Sequence, residues 1–127
     1  EWLPDSLLQA IAAENNLSET AFTVPADGIE ADYHLRWFTP TVEVDLCGHA
    51  TLATAHVIFF LEDQPDADVI TLDSRSGPLK VRKNGDWLVL DFPADTLQKS
   101  PVLPPALISS IGQKPVECYK GKTDYIL

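Results

Sequence analysis

Hydrophobic and polar positions along this 127-residue chain change their period several times, and each change marks an element. Pro4 and Asp5 open a helix, with Leu7, Leu8, Ile11 and Ala12 at helical spacing and Asn15-Asn16 at its end. Leu17 to Val24 reads as a strand entered without a proper turn, and Ala26-Asp27-Gly28 as a turn. Tyr33 to Phe38 alternates as a strand that Pro40 breaks. The next alternation puts Val42, Val44 and Leu46 on one face and Glu43 and Asp45 on the other. At Gly48 the period switches. Ala50 to Leu61 is apolar almost all round, and a helix with no clear polar face is one surrounded by protein.

Beyond an exit loop at Asp63-Gln64-Pro65-Asp66, Val69 to Ser74 is a strand, and Gly77-Pro78 turns the chain into Leu79 to Arg82. Asn84-Gly85 is a type I′ hairpin signal leading into Trp87 to Phe92. A proline-rich connection from Pro93 precedes a short helix, Pro105 to Ile111, stopped by Gly112. Val116 to Tyr119 and Thr123 to Leu127 read as further strands. Many short strands and one enclosed helix predict an α+β fold, a curved mixed β-sheet or barrel wrapped around a central apolar helix.

Composition narrows the function classes. With 45% hydrophobic residues, residues 1–127 can bury one core, which predicts a single domain. A net charge of −10 argues against nucleic acid or an anionic membrane as partner. The longest apolar run, around Val57 to Leu61, is far too short to span a bilayer. Cys47 and Cys118 have neither CxxC nor zinc spacing, which fits reduced thiols in a cytoplasmic protein. The chain begins at Glu1, lacks methionine and ends on the apolar Tyr125-Ile126-Leu127, so we expect it to be a piece of a longer protein.

Two places could carry chemistry. The first turn of the apolar helix holds Cys47, Gly48, His49 and Thr51, where free N–H groups and the helix dipole favour an anion. A neutral imidazole at His49 would be a good donor to a substrate oxygen; a satisfied core histidine is the alternative. Cys47 could be an activated thiolate, although a small buried hydrophobe is the commoner role of a free cysteine. Gly48 lets a ligand approach the helix start. The second place is Glu19, which strand alternation puts on one face with Leu17 and Ala21. A carboxylate pressed among apolar neighbours keeps its proton more readily and can shuttle it. Physics alone leaves that reading level with an edge-strand glutamate facing water. His56 reads as a packing group, and His34 has no acidic or thiol neighbour at ligand spacing, so no metal site is expected. Neither a G-x-S-x-G elbow, a G-x-G-x-x-G loop nor a P-loop is present.

Asn16-Leu17-Ser18-Glu19-Thr20-Ala21-Phe22, followed by Asp45-Leu46-Cys47-Gly48-His49-Ala50-Thr51-Leu52-Ala53, resembles the phenazine-biosynthesis PhzF-like isomerase family. Ser76-Gly77-Pro78-Leu79 is also similar to the family pattern. The resemblance implies a diaminopimelate-epimerase-like fold, in which two similar halves each wrap a curved sheet around a central helix and the active site lies between them. This chain would be the N-terminal half, without the customary first strand and its Gly-Asn-Pro stretch.

The implied activity is a proton shift, free of metal and cofactor, on a small amino-acid-like or cyclic carboxylic acid. Glu19 would be the catalytic acid/base and His49 would bind substrate near the reacting carbon. Gly48, Ala50 and Thr51 would receive a carboxylate or carbonyl. Cys47 stands where the related epimerases carry a catalytic cysteine. Those enzymes follow the glycine with Asn-Gly, whereas His49-Ala50 stands here, which favours a carboxylate over a two-thiol mechanism. The family's second acidic residue, in an Asp-Pro-x-Thr-Gly-Ser type segment, has no counterpart in this chain. A cysteine-based racemase or epimerase with Cys47 as one base is the first alternative, and a non-catalytic small-acid binding or interaction module the second. Exposed edge strands give reason to expect a homodimer of the full-length protein.

Overall fold

The switch of period at Gly48 marks the start of the central helix, on which the main sheet of the first unit packs. The computed structural model describes residues 1–28, 30–61, 67–100, 102–122 and 125–126. It divides into two compact units, Glu1–Pro93 and Ala94–Leu127.

In the first unit the elements run α1 (Asp5–Asn15), β1 (Thr20–Pro25), β2 (Tyr33–Phe38), β3 (Glu43–Val44), α2 (Gly48–Phe60), β4 (Val69–Ser74), β5 (Gly77–Asn84) and β6 (Trp87–Asp91). Five strands lie in the order β1-β2-β4-β5-β6, and β3 pairs with β2 beside this path. The β2–β4 pair is parallel, with Tyr33 opposite Leu72, while the others are antiparallel. Parallel neighbours need a crossover connection, and α2 supplies it. That topology lays the apolar helix on the sheet.

The sheet is α+β and mixed, as the pattern predicts, but it is open and not a barrel, with β1 and β6 as its ends. One consequence corrects the sequence reading of α2. Ala50, Thr51, Ala55, Ile58 and Phe59 are buried, whereas Val57, Phe60 and Leu61 are exposed. An open sheet covers one side of a helix, so apolar residues all round do not imply cover all round among the described residues.

Strand alternation distributes side chains to two clusters. Leu35 and Trp37 of β2 join Ile70, Leu72, Leu79 and Val81 against α2. Phe38 instead packs with Leu8 and Ala12 of α1, flanked by Trp2 and Phe22. Arg36 is a neighbour of that second cluster. Its guanidinium lies over the rings of Trp2 (5.3 Å) and Phe38 (5.1 Å). It also donates to both oxygens of Glu43, at 2.7 and 2.8 Å, and to Asp5 at 2.9 Å. Arg75 reaches the same Glu43 carboxylate at 2.6 Å.

Two turns differ from expectation, one by a single residue and one by two. Asn84 pairs with Trp87, so the β5–β6 loop is Gly85-Asp86 with a positive φ at Gly85 alone. That is the type II′ pattern, with glycine first, in place of a type I′ Asn-Gly. Ser74 pairs with Gly77, so Arg75-Ser76 makes the turn that the sequence puts at Gly77-Pro78, and Gly77 takes a φ of +89° at its end.

The second unit holds β7 (Gln98–Lys99), α3 (Pro105–Ile111), β8 (Tyr119–Lys120) and β9 (Tyr125–Ile126), with the strands in the order β7-β8-β9. Helix α3 ends where Gly112 turns left-handed, as its sequence predicts. The strand expected from Val116 is only Tyr119–Lys120, since Val116 is fully exposed and has nothing to pack on. The exit loop at 63–66, and Thr123 and Leu127 of the last expected strand, lie outside the described residues.

Candidate active site

Glu19 reaches the site by a route other than strand alternation. Helix α1 ends at Asn15, and Asn16 turns left-handed (φ 49°) while its N–H donates to the Ala12 carbonyl. Asparagine tolerates that conformation because its short polar side chain can bond locally. The chain therefore leaves the helix through a turn, Leu17 is exposed, and β1 starts only at Thr20. Glu19 sits in the last residue before the strand, with its side chain 21% exposed. Oε2 is closed to water and receives no well-directed hydrogen bond. Its near neighbour is Nε2 of His49, at 3.2 Å.

His49 lies in the first turn of α2, two-thirds exposed. Its Nε2 also hydrogen-bonds Ser18 Oγ at 3.2 Å, and its Nδ1 lies 3.6 Å from Cys47 Sγ. The imidazole thus bridges the Ser18-Glu19 loop and the end of the preceding extended segment. Cys47 is the helix N-cap, in extended backbone, and is buried. Burial pushes its thiol up, and the Glu19 carboxylate adds to this; the N–H groups of Ala50 and His49 pull the other way. The net effect keeps the thiol protonated at neutral pH.

Thr51 is fully buried, and its hydroxyl and its N–H both donate to the Cys47 carbonyl, at 2.6 and 3.3 Å. Its side chain fixes the helix start from inside. Ala50 is buried as well. A Cβ added at Gly48 would meet Phe92 Cε2 at 3.3 Å, so the bare glycine lets the Phe92 ring lie against the helix start. Ser76 Oγ donates to the Asp45 carbonyl at 2.8 Å and ties the Arg75-Ser76 turn to the segment entering Cys47.

Several of these partners are not visible in the sequence. Ser18 alternates away from Glu19 only if a strand is assumed there; its adjacency to Glu19 was the available signal. Phe92 and Ser76 are remote in sequence from Gly48 and Asp45. His34, read as having no acidic neighbour, has Asp73 at 3.0 Å, because the parallel β2–β4 register sets the two side by side. His56 is exposed, and its ring lies tilted beside the exposed Phe60 with centroids 4.8 Å apart, so it is not the core group that the sequence allows. Glu19, Cys47 and His49 together offer a carboxylate oxygen, a sulfur and a ring nitrogen all within 4.8 Å of one another, a set that could hold a metal ion.

A shielded carboxylate beside an exposed imidazole, at the positive end of a helix, can exchange a proton with a bound acid and hold the charge that develops. The family model described as phenazine biosynthesis-like protein, PhzC-PhzF, matches residues 1–122. The chain belongs to this family.

Among its curated relatives, an uncharacterized isomerase of Pseudomonas aeruginosa is 52% identical over 126 residues, covering 99% of this chain and 46% of the relative. An uncharacterized isomerase of Halalkalibacterium halodurans is 44% identical over 124 residues, covering 97% of this chain and 45% of the relative. The crystal structure of a PhzF-family phenazine biosynthesis protein from Enterococcus faecalis matches with a TM-score of 0.82 at 46% identity, over 98% of this chain and 46% of that one. The chain thus spans about half the length of the PhzF-family proteins that it matches. Among the described residues no helix is long and apolar enough to cross a membrane.

Proposed function

We propose that this chain supplies the Glu19 half of a PhzF-like isomerase, an enzyme that moves a proton between carbons of a small carboxylic or amino-acid-like acid without a cofactor. The observation that carries the reading is the Glu19–His49 pair, with Oε2 shielded from water and 3.2 Å from Nε2. With no directed hydrogen bond to break, Oε2 is free to approach a substrate proton. Glu19 takes the proton from the substrate carbon. Negative charge then develops on the substrate's carboxylate or carbonyl oxygen. His49 and the N–H groups that open α2 stabilise it there, in a place that needs no reorganisation. Protonation at the second carbon, by Glu19 or by a group from the remainder of the protein, completes the shift.

The isomerase names of the relatives and the residue-by-residue match around Glu19 and His49 support the same reading. The protonated Cys47 thiol weighs against the cysteine-based alternative, since a thiol held up by burial and by Glu19 is a poor base at neutral pH.

The test is deuterium incorporation from heavy water into a panel of small unsaturated and amino-acid-like carboxylates, with the full reading frame as enzyme. Glu19→Gln keeps the shape and removes the base. It is expected to cut exchange by about 10²–10⁴-fold, the usual contribution of a positioned acid–base group, with an unchanged circular dichroism spectrum. Exchange at the unsubstituted rate would overturn the role of Glu19.

A further inference from the structure

The chemistry of the three groups at the start of α2 goes beyond a proton shift. Spacing along the sequence gives no hint of a metal site. Folding nevertheless brings Glu19 from the α1–β1 loop to Cys47 and His49, and all three ligand atoms fall within 4.8 Å. We propose that Glu19, Cys47 and His49 form a tridentate site for Zn²⁺ or a similar borderline-soft divalent cation, and that the bound ion shuts the site down by occupying Glu19.

Three features carry this. The donor set is sulfur, imidazole nitrogen and carboxylate oxygen, which zinc accepts together and which magnesium and calcium do not favour. The three ligand atoms lie within 4.8 Å of one another, and a zinc ion with bonds of about 2.0–2.3 Å holds its ligand atoms roughly 3.3–3.8 Å apart. Glu19 and Cys47 face opposite ring nitrogens of His49, at 3.2 and 3.6 Å, so ion binding requires the exposed ring to turn and offer a single nitrogen. Finally, Oε2 receives no well-directed hydrogen bond, so a cation would replace little that already holds it. The exposed side of His49 leaves the fourth coordination position to water or to a substrate oxygen.

Binding does not depend on the proton-transfer reading; the inhibition does, and the two are measured separately. Calorimetric titration of the full-length protein with ZnCl₂ is expected to give tight binding of one equivalent that depends on these three residues. Co²⁺ should displace the Cys47 proton to solvent, as metal binding to a thiol requires, and produce the absorption of a thiolate–cobalt bond. Cys47→Ser, His49→Ala and Glu19→Gln should each weaken Zn²⁺ by roughly tenfold or more, and Cys47→Ser should abolish the cobalt–thiolate band. Cys118→Ser should change neither, since Cys118 is not one of the three ligand residues.

His49 is at the surface, so its variant keeps the proposal testable if a change at buried Cys47 disturbs folding, which circular dichroism reports. The net charge of −10 supplies the rival explanation, diffuse attraction of cations to an acidic surface. That rival predicts equal binding of Mg²⁺ and no effect of the three substitutions, and either result would overturn the site. With binding established, Zn²⁺ should slow deuterium exchange in proportion to site occupancy. Unaffected exchange at saturation would overturn the inhibition.

Discussion

Two carboxylates of similar burial, one in β3 and one just ahead of β1, sit under opposite conditions. Glu43, 11% exposed, takes two hydrogen bonds from Arg36 and a contact from Arg75, and Arg36 is itself shared with Asp5. Glu19, 21% exposed, has an oxygen cut off from water, with the imidazole of His49 and the neutral thiol of Cys47 near it and no arginine or lysine among the ion pairs it makes. Burying a charge is costly unless it is paired and hydrogen-bonded. Glu43 meets that demand, and it joins α1, β2 and the β4–β5 turn into one structure. Glu19 does not, and the fold tolerates the deficit at the helix start where a substrate charge could be received. The pairing therefore separates a carboxylate that holds the fold from one that is available for chemistry, although their exposure alone does not.

The comparison breaks if the two sites respond alike to substitution. At Glu19 the expected loss is in exchange, about 10²–10⁴-fold for Glu19→Gln. Its stability should hold or rise, because a poorly paired buried charge has been removed. Arg36→Met is the converse. It strips Glu43 of its bidentate partner and leaves a buried carboxylate to Arg75 alone. Breaking a buried pair costs about 3–5 kcal/mol, and the remaining Arg75 contact puts this case at the low end. Urea denaturation monitored by tryptophan fluorescence measures it. A stability loss at Glu19→Gln as large as at Arg36→Met would remove the distinction.

How far the sequence shows these sites depends on how local their causes are. Helix α2, its N-terminus at Cys47-Gly48 and the alternation of β2 were legible, because period and glycine act over a few residues. The entry into β1 was not. Alternation was extended back through Leu17, whereas Asn16 in a left-handed conformation ends the helix and resets the phase. Alternation leaves Glu19 open between a buried and a solvent-facing position, and its actual place, 21% exposed, comes from that turn. The cover on α2 was overestimated, since an apolar surface shows what a helix can bury and not which neighbours supply it. The Glu43–Arg36–Asp5 and Glu19–His49 groupings join residues up to about thirty positions apart, and only the strand order decides such pairings.

A smaller effect sharpens the role of the helix start. Gly48→Ala places a methyl group 3.3 Å from Phe92 Cε2, so the ring must give way. Overpacking of this kind costs about 1–3 kcal/mol, and the terminal ring keeps this case near the lower figure. Phe92→Leu in the same chain should recover most of the loss in thermal unfolding. If Gly48→Ala lowers exchange without lowering stability, the bare glycine serves ligand approach more than ring packing.

The smallest effect concerns Cys47 and the sign of a pH dependence. Its thiol is raised above the ordinary cysteine value, chiefly by burial and then by the Glu19 carboxylate. Below the pKa of the unfolded chain, about 8.5, both states hold the proton and stability is unaffected. Above it the unfolded chain ionises first while the folded thiol stays neutral. Fewer protons are then bound in the unfolded state, and stability falls until the folded thiol ionises too. The unfolding midpoint should therefore decline between about pH 8.5 and the folded value, and the decline should be absent in Cys47→Ser. Glu19→Gln removes the secondary cause and leaves burial, so it should shorten that window from its upper end without closing it. A window unchanged by Glu19→Gln would mean that the carboxylate does not act on the thiol, and the under-paired charge at the helix start would be less exposed to its neighbours than its geometry implies.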